Sequence, residues 1–175
     1  MSVLLRPVAD DDLRSVGALH FQSRAHAYAE IVSPEALATG SAEALGEWWA
    51  ERWKWERDTH RLTVAVDGDT LAGFTYVGPT EQDGVAELYA LYAAPAHVGT
   101  GVGRALMLDA LPALADLGDH AVLWVLAAND RARRFYERGG WAVDGTERTE
   151  AIGGEPARQL RYGRAMEGGR ERVTE

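Results

Sequence analysis

The sequence predicts a single-domain α/β protein in which one mixed β-sheet is flanked by helices. Its 175 residues are enough for one domain with a substantial core. Segments with helical spacing of apolar residues alternate with short apolar runs typical of strands, and no repeat or linker divides them. We therefore expect a domain over residues 1–166, followed by a tail at 167–175 that lacks apolar anchors and is disordered.

The first half of the chain is predicted to form one strand, two helices with a short helix-like segment at 33–38 between them, and a hairpin. Ser33 and Pro34 precede a short helix, as expected for residues that begin helices. The turn Asp67-Gly68-Asp69 joins two extended runs and is typical of a hairpin. The predicted ranges are a strand at 3–8, helices at 13–29 and 41–57, the helix-like segment at 33–38, and hairpin strands within 61–78.

The second half centres on a nearly uninterrupted apolar strand, VAELYALYA, at residues 85–93. Continuous apolarity is typical of a strand that is buried on both faces, so we expect this strand at the centre of the sheet. Asn129 is a favourable capping residue for the helix that follows it. The remaining predicted elements are a helix at 101–117, a strand at 121–127, a helix at 130–138 and two closing strands at 141–145 and 158–166.

Composition and charge limit the classes of function. Lys and Arg total 18 against 27 Asp and Glu, and the net charge of −9 disfavours nucleic acid as a partner. The same charge attracts cationic substrates such as amines, although an acidic surface that serves solubility alone is the alternative. The chain has no cysteine, no apolar run long enough to cross a membrane and no signal-peptide pattern, so we expect a cytoplasmic protein without a membrane partner. His20 and His26 lack the spacing of metal ligands, so we expect no metal site.

A glycine-rich turn, PAHVGTGVGRALM at residues 95–107, is the first candidate site. It does not match the dinucleotide fingerprint or the triphosphate loop, because both need residues that this stretch lacks. The free amides and partial positive charge of a helix N-terminus favour an anion, and glycines allow a pyrophosphate to approach closely. A tight strand-to-helix connection without a ligand is the alternative. The predicted phosphate-binding residues are Gly99, Thr100, Gly101, Val102, Gly103 and Arg104.

Glu87 is the second candidate. By the two-residue alternation of a strand, it shares a face with Val85, Tyr89 and Leu91. A carboxylate on a central strand is costly unless it is paired or functional. Burial raises the pKa of such a carboxylate, which can then accept a proton from an amine. An ion pair within the sheet is the alternative.

Two motifs closely resemble those of the GNAT acetyltransferase superfamily. The family's turn, Arg/Gln-x-x-Gly-x-Gly/Ala, corresponds to residues 98–103, with Val98 at the position usually held by Arg or Gln. The family's second motif is Asn-x-x-Ala-x-x-Phe-Tyr-Glu-x-x-Gly-Trp/Phe, and both motifs occur here in the expected order. The second is matched by Asn129, Ala132, Phe135, Tyr136, Glu137, Gly140 and Trp141.

The resemblance covers the chain from Leu5 to about Ala165 and implies the GNAT fold and an N-acetyltransferase that uses acetyl-CoA. The turn would bind the pyrophosphate of this co-substrate. A glutamate at the position of Glu87 acts in many members as the general base, often through water. Tyr136 would protonate the departing CoA thiolate, although a tyrosine packed only in the core is the alternative.

The same resemblance implies contacts to the pantetheine arm. Asn129 would bind this arm or act only as a helix cap. The central strand is splayed from its neighbour by a bulge in this family, which leaves main-chain groups of Leu91, Tyr92 and Ala93 for pantetheine. The Leu91 amide would polarise the thioester carbonyl.

The acceptor is the least constrained part of the prediction. We expect the acceptor to be a primary amine of a small molecule. We expect the acetyl group to be transferred directly, because the sequence has no Gly-x-Ser-x-Gly motif that would indicate an acyl-serine intermediate. Acetylation of protein N-termini or lysines is one alternative, and a non-catalytic acyl-CoA-binding regulatory module is another. A homodimer is a further open expectation, since dimers are frequent in the family.

Overall fold

The computed structural model describes residues 2–167. Residues 168–175, which form almost all of the predicted tail, lie outside the described residues. Within residues 2–167 the chain forms a seven-stranded sheet, as the sequence predicts, and five α-helices flank it. The strands are β1 (Leu4–Pro7), β2 (Arg61–Asp67), β3 (Thr70–Pro79), β4 (Val85–Ala93), β5 (His120–Leu126), β6 (Ala142–Ile152) and β7 (Glu155–Ala165). The helices are α1 (Leu13–Ala27), α2 (Pro34–Leu37), α3 (Ala42–Glu56), α4 (Val102–Leu117) and α5 (Asp130–Arg138).

The sheet is mixed, in the order β1-β2-β3-β4-β5-β7-β6. Only β4 and β5 run parallel among these neighbours, and α4 supplies the crossover that a parallel pair requires. β4 is therefore central, as predicted. The parallel pair is also where the candidate site lies, because both the glycine turn and α4 follow β4 directly.

Helices α1 and α3 cover one face of the sheet and cross each other closely. A Cβ atom on Gly17 would lie 2.2 Å from the main-chain nitrogen of Gly46, so no larger residue fits at this crossing. Beneath the pair, Trp49 packs edge-on against Phe74 and Tyr76, and all three side chains are buried. Of the tryptophans on α3, Trp49 is buried and Trp53 packs partly against the core, whereas Trp48 and Trp55 are exposed.

Helices α4 and α5 lie on the opposite face. Their apolar residues join a core that includes Leu88 of β4, Met107 and Ala110 of α4, and Tyr162 of β7. Trp141, which directly follows α5, is buried in the same core. Among the described helices, none combines the length and apolarity needed to cross a membrane.

A β-bulge interrupts β4, as the family resemblance implies. Tyr76 pairs with Ala90 and Val77 with Leu88, which leaves Tyr89 as the extra residue. The bulge reverses the alternation of side chains. The prediction that Leu91 shares a face with Glu87 is therefore wrong.

The two faces of β4 differ in burial. Tyr89 packs on the α1–α3 side, whereas Leu91 packs against Val102 and Leu106 of α4. Glu87 and its neighbours on the α1–α3 side are only half-buried. The prediction that β4 is buried on both faces is thus wrong, although its central position is confirmed.

The closing strands extend further than predicted, at Ala142–Ile152 and Glu155–Ala165. Their extra residues are mostly charged or small and mostly exposed, so they carry no apolar pattern. Main-chain pairing and cross-strand ion pairs such as Arg158 with Glu147 hold them together. Sequence periodicity therefore underestimates strands whose outer part is solvated.

Candidate active site

The glycine turn has the geometry of an anion site. Gly99 has φ = +80° and Gly101 has φ = +93°, a left-handed backbone that favours glycine. The first helical hydrogen bond of α4 runs from the amide of Ala105 to the carbonyl of Gly101. Among the amides of the described turn at residues 98–105, those of Gly99, Gly101, Val102, Gly103 and Arg104 have no acceptor in the structure.

Thr100 differs from the other predicted donors. Its amide donates to the carbonyl of His97 at 3.2 Å, and its hydroxyl donates to the same oxygen at 2.6 Å. Both donors therefore shape the turn and are not available to a ligand. The predicted set of amides is corrected at this position. Val102 is buried, so only its main chain faces the site.

A positively charged side chain, which was not predicted from the sequence, lies over the glycine turn. A terminal guanidinium nitrogen of Arg131, on α5, is 3.6 Å from the position that a Cβ atom on Gly99 would occupy. The family's usual Arg or Gln is absent at Val98. Arg131 supplies a positive charge to the same turn from a different element.

β4 and β5 separate next to this turn. They pair only at Val85–Glu87, although β4 continues to Ala93. The amide of Ala94 donates to β3, so by alternation Leu91 and Ala93 direct their main-chain groups towards the gap, and Tyr92 directs its own towards β3. The Ala93 carbonyl accepts from the Ser23 hydroxyl at 2.9 Å. Of the three residues predicted to bind pantetheine, Leu91 and Ala93 have main-chain groups directed towards the gap, and only the Ala93 carbonyl is already engaged.

Glu87 lies where the two strands part. Its carboxylate is half-buried, and burial is the main cause of a raised pKa. Arg148, Arg52 and Arg161 partly oppose this shift, and Glu150 adds to it. Among the described residues Glu87 has no ion pair within 4.0 Å, which removes the main structural alternative for this side chain.

Asn129 begins α5. Its side-chain oxygen accepts from the amide of Ala132 at 3.2 Å, which confirms the predicted cap. The cap fixes the direction in which α5 leaves β5. It thereby places the Arg131 and Tyr136 side chains beside the gap.

Tyr136 packs against the core on the α4–α5 side and is electrostatically coupled to Tyr28. Its ring centroid is 5.4 Å from that of Phe135 and 6.5 Å from that of Trp141. Burial, followed by the nearby Tyr28 hydroxyl, raises the pKa of Tyr136 above its ordinary value, so the phenol is protonated. Burial, followed by Tyr28, raises the pKa of Tyr92, and Tyr136 adds to this shift. Tyr136 is therefore electrostatically coupled to Tyr28 and Tyr92, which belong to the α1 side.

The structure therefore brings most predicted site residues to one gap. Glu87 flanks it from the α1–α3 side and Tyr136 from the α4–α5 side, while the glycine turn closes one end. Three arginines near Glu87 were not predicted: Arg52, Arg148 and Arg161. They lie on elements that are far apart in the sequence, so residue spacing gave no signal for them. Within residues 2–167, no group of three or more His, Cys, Asp or Glu side chains is arranged to hold a metal ion.

Comparison with known proteins now identifies the fold family. The model of the Acetyltransferase (GNAT) family matches residues 25–141, which is most of the chain and includes both motifs. The chain belongs to this family. GNAT membership confirms the resemblance and places the chain in a family of acyltransferase enzymes.

Two curated relatives illustrate the range of GNAT proteins that this chain resembles. A mycothiol acetyltransferase of Propionibacterium freudenreichii subsp. shermanii is 34% identical over 157 residues, which is 87% of this chain and 46% of the relative. An uncharacterized N-acetyltransferase of Mycobacterium tuberculosis is 38% identical over 93 residues, covering 53% of this chain and 58% of the relative. The chain thus spans about half the length of the curated relatives it matches.

A solved structure confirms the GNAT fold. The PaiA N-acetyltransferase of Thermoplasma acidophilum, in complex with coenzyme A, superposes with a TM-score of 0.78. The alignment covers 94% of this chain and 99% of that protein at 22% identity. At this identity the likeness shows the shared fold alone.

Proposed function

We propose that this GNAT protein transfers the acetyl group of acetyl-CoA directly to a primary amine of a small molecule. One observation carries the proposal. Free amides at the glycine turn lead into a gap between β4 and β5 that is flanked by Glu87 and Tyr136. This arrangement combines an anion site, a slot for an extended chain and two groups suited to proton transfer.

The turn and Arg131 would hold the diphosphate of acetyl-CoA. Left-handed glycines at 99 and 101 expose neighbouring amides, and the N-terminus of α4 adds a partial positive charge. The pantetheine arm would then lie in the gap and pair with the open main chain of Leu91. The structure of the PaiA N-acetyltransferase of Thermoplasma acidophilum, which contains coenzyme A, agrees with this choice of co-substrate.

Glu87 would act as the general base. An amine with a pKa of ~10.4 must lose a proton before it can attack, at a cost of about 4–5 kcal/mol at pH 7. A carboxylate whose pKa is raised by burial is better matched to accept this proton than an exposed one. The neutral amine then attacks the thioester carbon, whose oxygen accepts from the Leu91 amide.

Tyr136 would act as the general acid. When the carbon–sulfur bond breaks, the electron pair leaves with sulfur, and the phenol donates its proton to the thiolate. The raised pKa keeps this phenol protonated throughout the neutral range. The products are an amide and free coenzyme A, so the reaction needs no oxidant or metal.

A small-molecule acceptor is favoured by the relatives. Mycothiol acetyltransferase is named for a small-molecule product class, and one such relative aligns with 87% of this chain. No corresponding observation favours a protein acceptor over a free amine.

Thiol release tests the proposal. The purified protein is incubated with acetyl-CoA and a panel of amino acids, polyamines, aminoglycosides and peptides, and free coenzyme A is measured. We expect amine-dependent thiol release with at least one small molecule. Binding of acetyl-CoA without thiol release for any acceptor would indicate a non-catalytic module, and release with peptides alone would indicate a protein acceptor.

A further inference from the structure

A cluster of arginines surrounds Glu87 on the open face of the sheet. We call Arg52 of α3, Arg148 of β6 and Arg161 of β7 the arginine cluster. All three act on the Glu87 carboxylate electrostatically, although they come from three different elements. The sheet register explains the convergence, because Trp124 of β5 pairs with Arg161 and lies two residues beyond Val122, the partner of Glu87.

Aromatic rings support these guanidinium groups. The Arg148 guanidinium lies 4.2 Å from the Trp124 ring centroid, and that of Arg161 lies 5.9 Å from it. Arg52 lies 5.0 Å from the Tyr89 ring centroid and 4.7 Å from that of Tyr76. Stacking on rings holds the planar groups in place without using their hydrogen-bond donors.

The neighbouring carboxylates are already occupied. Glu56 accepts from the Nε atom of Arg52 at 2.6 Å, and its other oxygen is 2.7 Å from His60. Asp144 accepts from the Thr146 amide with one oxygen and from the Nε atom of Arg161 with the other. These two carboxylates orient arginines but offer little to a ligand.

The donors of the arginine cluster remain open. Arg148 uses its Nε atom on the Gln159 amide oxygen at 2.6 Å, and its Nη1 atom is 3.5 Å from the exposed Glu150. Among the described residues, the terminal nitrogens of Arg52 and Arg161 donate no hydrogen bond. The face beside Glu87 therefore presents planar N–H donors together with one unpaired carboxylate.

We propose that the acceptor is an amine that also carries a carboxylate, as a free amino acid does. This proposal rests on the proposed acetyl transfer and deepens it. The acceptor carboxylate binds the terminal nitrogens of Arg148 and Arg161, and its amine meets Glu87. Guanidinium donors match both oxygens of a carboxylate, whereas a polyamine would face three positive charges. The net charge of −9 would favour a purely cationic acceptor, but the arginine donors beside Glu87 determine which acceptor binds.

The dimensions suit a small molecule. Glu87 and Arg161 lie two strands apart, about 10 Å across the sheet between their backbones. Because both side chains extend from the backbone, the space between the Glu87 carboxylate and the Arg161 guanidinium is one that an amino acid can span. The amine is thereby held at the point where β4 and β5 separate.

The test compares L-amino acids with their carboxamides as acceptors, using thiol release. We expect kcat/KM to be at least tenfold higher for the free acids. Arg148→Gln and Arg161→Gln should each raise the KM for the acid roughly 10- to 100-fold, because each removes hydrogen bonds to a charged group. The KM for acetyl-CoA should stay unchanged. The KM for the carboxamide should change far less than the KM for the acid, even where loss of an arginine shifts the pH profile through Glu87.

Arg158→Gln is the matched control. Arg158 lies on β7 three residues from Arg161 but on the opposite face, where it pairs with Glu147. This variant should keep the preference for acids. Arg161→Lys retains the charge and should lose only part of the preference, which separates recognition from misfolding.

Several outcomes would overturn the inference. If the Gln variants slow acids and carboxamides equally while shifting the pH profile, the arginine cluster only tunes Glu87. If carboxamides or polyamines react as well as the acids, acetyl transfer stands and this inference fails. If acetyl-CoA binds and no acceptor releases thiol, the proposed function and this inference both fail.

Discussion

The imidazole of His97 lies 3.0 Å from a carboxylate oxygen of Asp67, and this contact joins the glycine turn to the β2–β3 hairpin. His97 is buried, and its carbonyl accepts both donors of Thr100. Its Nδ1 atom is buried and has no partner among the described residues. The side chain thus anchors the turn from one side while its main chain shapes it from the other.

Breaking this contact should loosen co-substrate binding without changing chemistry. We expect Asp67→Asn and His97→Phe to raise the KM for acetyl-CoA roughly fivefold, as for one lost hydrogen bond, with kcat nearly unchanged. Asp69→Asn, two residues away and exposed, is the control. Equal effects on kcat in all three variants would mean that the contact does not act through the turn.

Gly101→Ala should weaken acetyl-CoA binding specifically. Gly101 has φ = +93° and open space around its Cβ position, so alanine adds backbone strain of about 1–2 kcal/mol and blocks the approach of a phosphate. We expect the KM for acetyl-CoA to rise roughly tenfold or more, since hydrogen bonds to a charged group are lost.

Gly40→Ala is the matched control for this change. Gly40 has φ = +83° and equally open space, but it lies between α2 and α3. Both variants should lose similar amounts of thermal stability, and only Gly101→Ala should affect the KM for acetyl-CoA. A similar rise in both would show that strain alone explains the effect.

Glu87→Gln should remove the acidic limb of the pH–rate profile. Because burial raises the pKa of Glu87, wild-type activity should fall with decreasing pH at a value above that of an ordinary glutamate. The variant should lose about 10²- to 10⁴-fold in kcat with a basic amine. An unchanged profile in the variant would assign the base elsewhere.

The same substitution should change stability in a pH-dependent way. A raised pKa in the folded state means that the native protein holds the Glu87 proton more tightly than the unfolded chain. Stability is therefore lost as pH rises from the unfolded-state pKa through the folded-state pKa. Glu87→Gln should raise the melting temperature at neutral pH and have little effect at acid pH, as measured by calorimetry.

Tyr136→Phe should lower turnover and leave binding intact. The variant keeps the ring contacts with Phe135 and Trp141 and loses only the hydroxyl. We expect kcat to fall about 10²-fold, as for loss of a general acid, with an unchanged acetyl-CoA dissociation constant. Full activity would reduce Tyr136 to a packing residue.

The sequence predicted the order of the elements and the candidate gap because local signals mark both. The glycines at 99 and 101 and the cap at Asn129 each act within one turn of chain, where spacing is informative. The resemblance then connected them to one co-substrate. Strand ends on β6 and β7 were underestimated because their outer residues are solvated and show no apolar pattern.

The acceptor side could not be predicted in the same way. The bulge at Tyr89 moves Leu91 to the other face, and alternation alone cannot show this. The arginine cluster depends on the register of four strands and on α3, so its members are distant in sequence. Non-local pairing, rather than any residue's own preference, creates that part of the site.

The central claim is that the free amides of the glycine turn, those of Gly99, Gly101, Val102, Gly103 and Arg104, hold the diphosphate of coenzyme A. Calorimetric titration of the folded wild-type protein with coenzyme A, and separately with pantetheine, which lacks the diphosphate, tests it most directly. We expect saturable binding of coenzyme A and far weaker binding of pantetheine. No detectable binding of coenzyme A at millimolar concentration, or equal binding of both, would contradict the account.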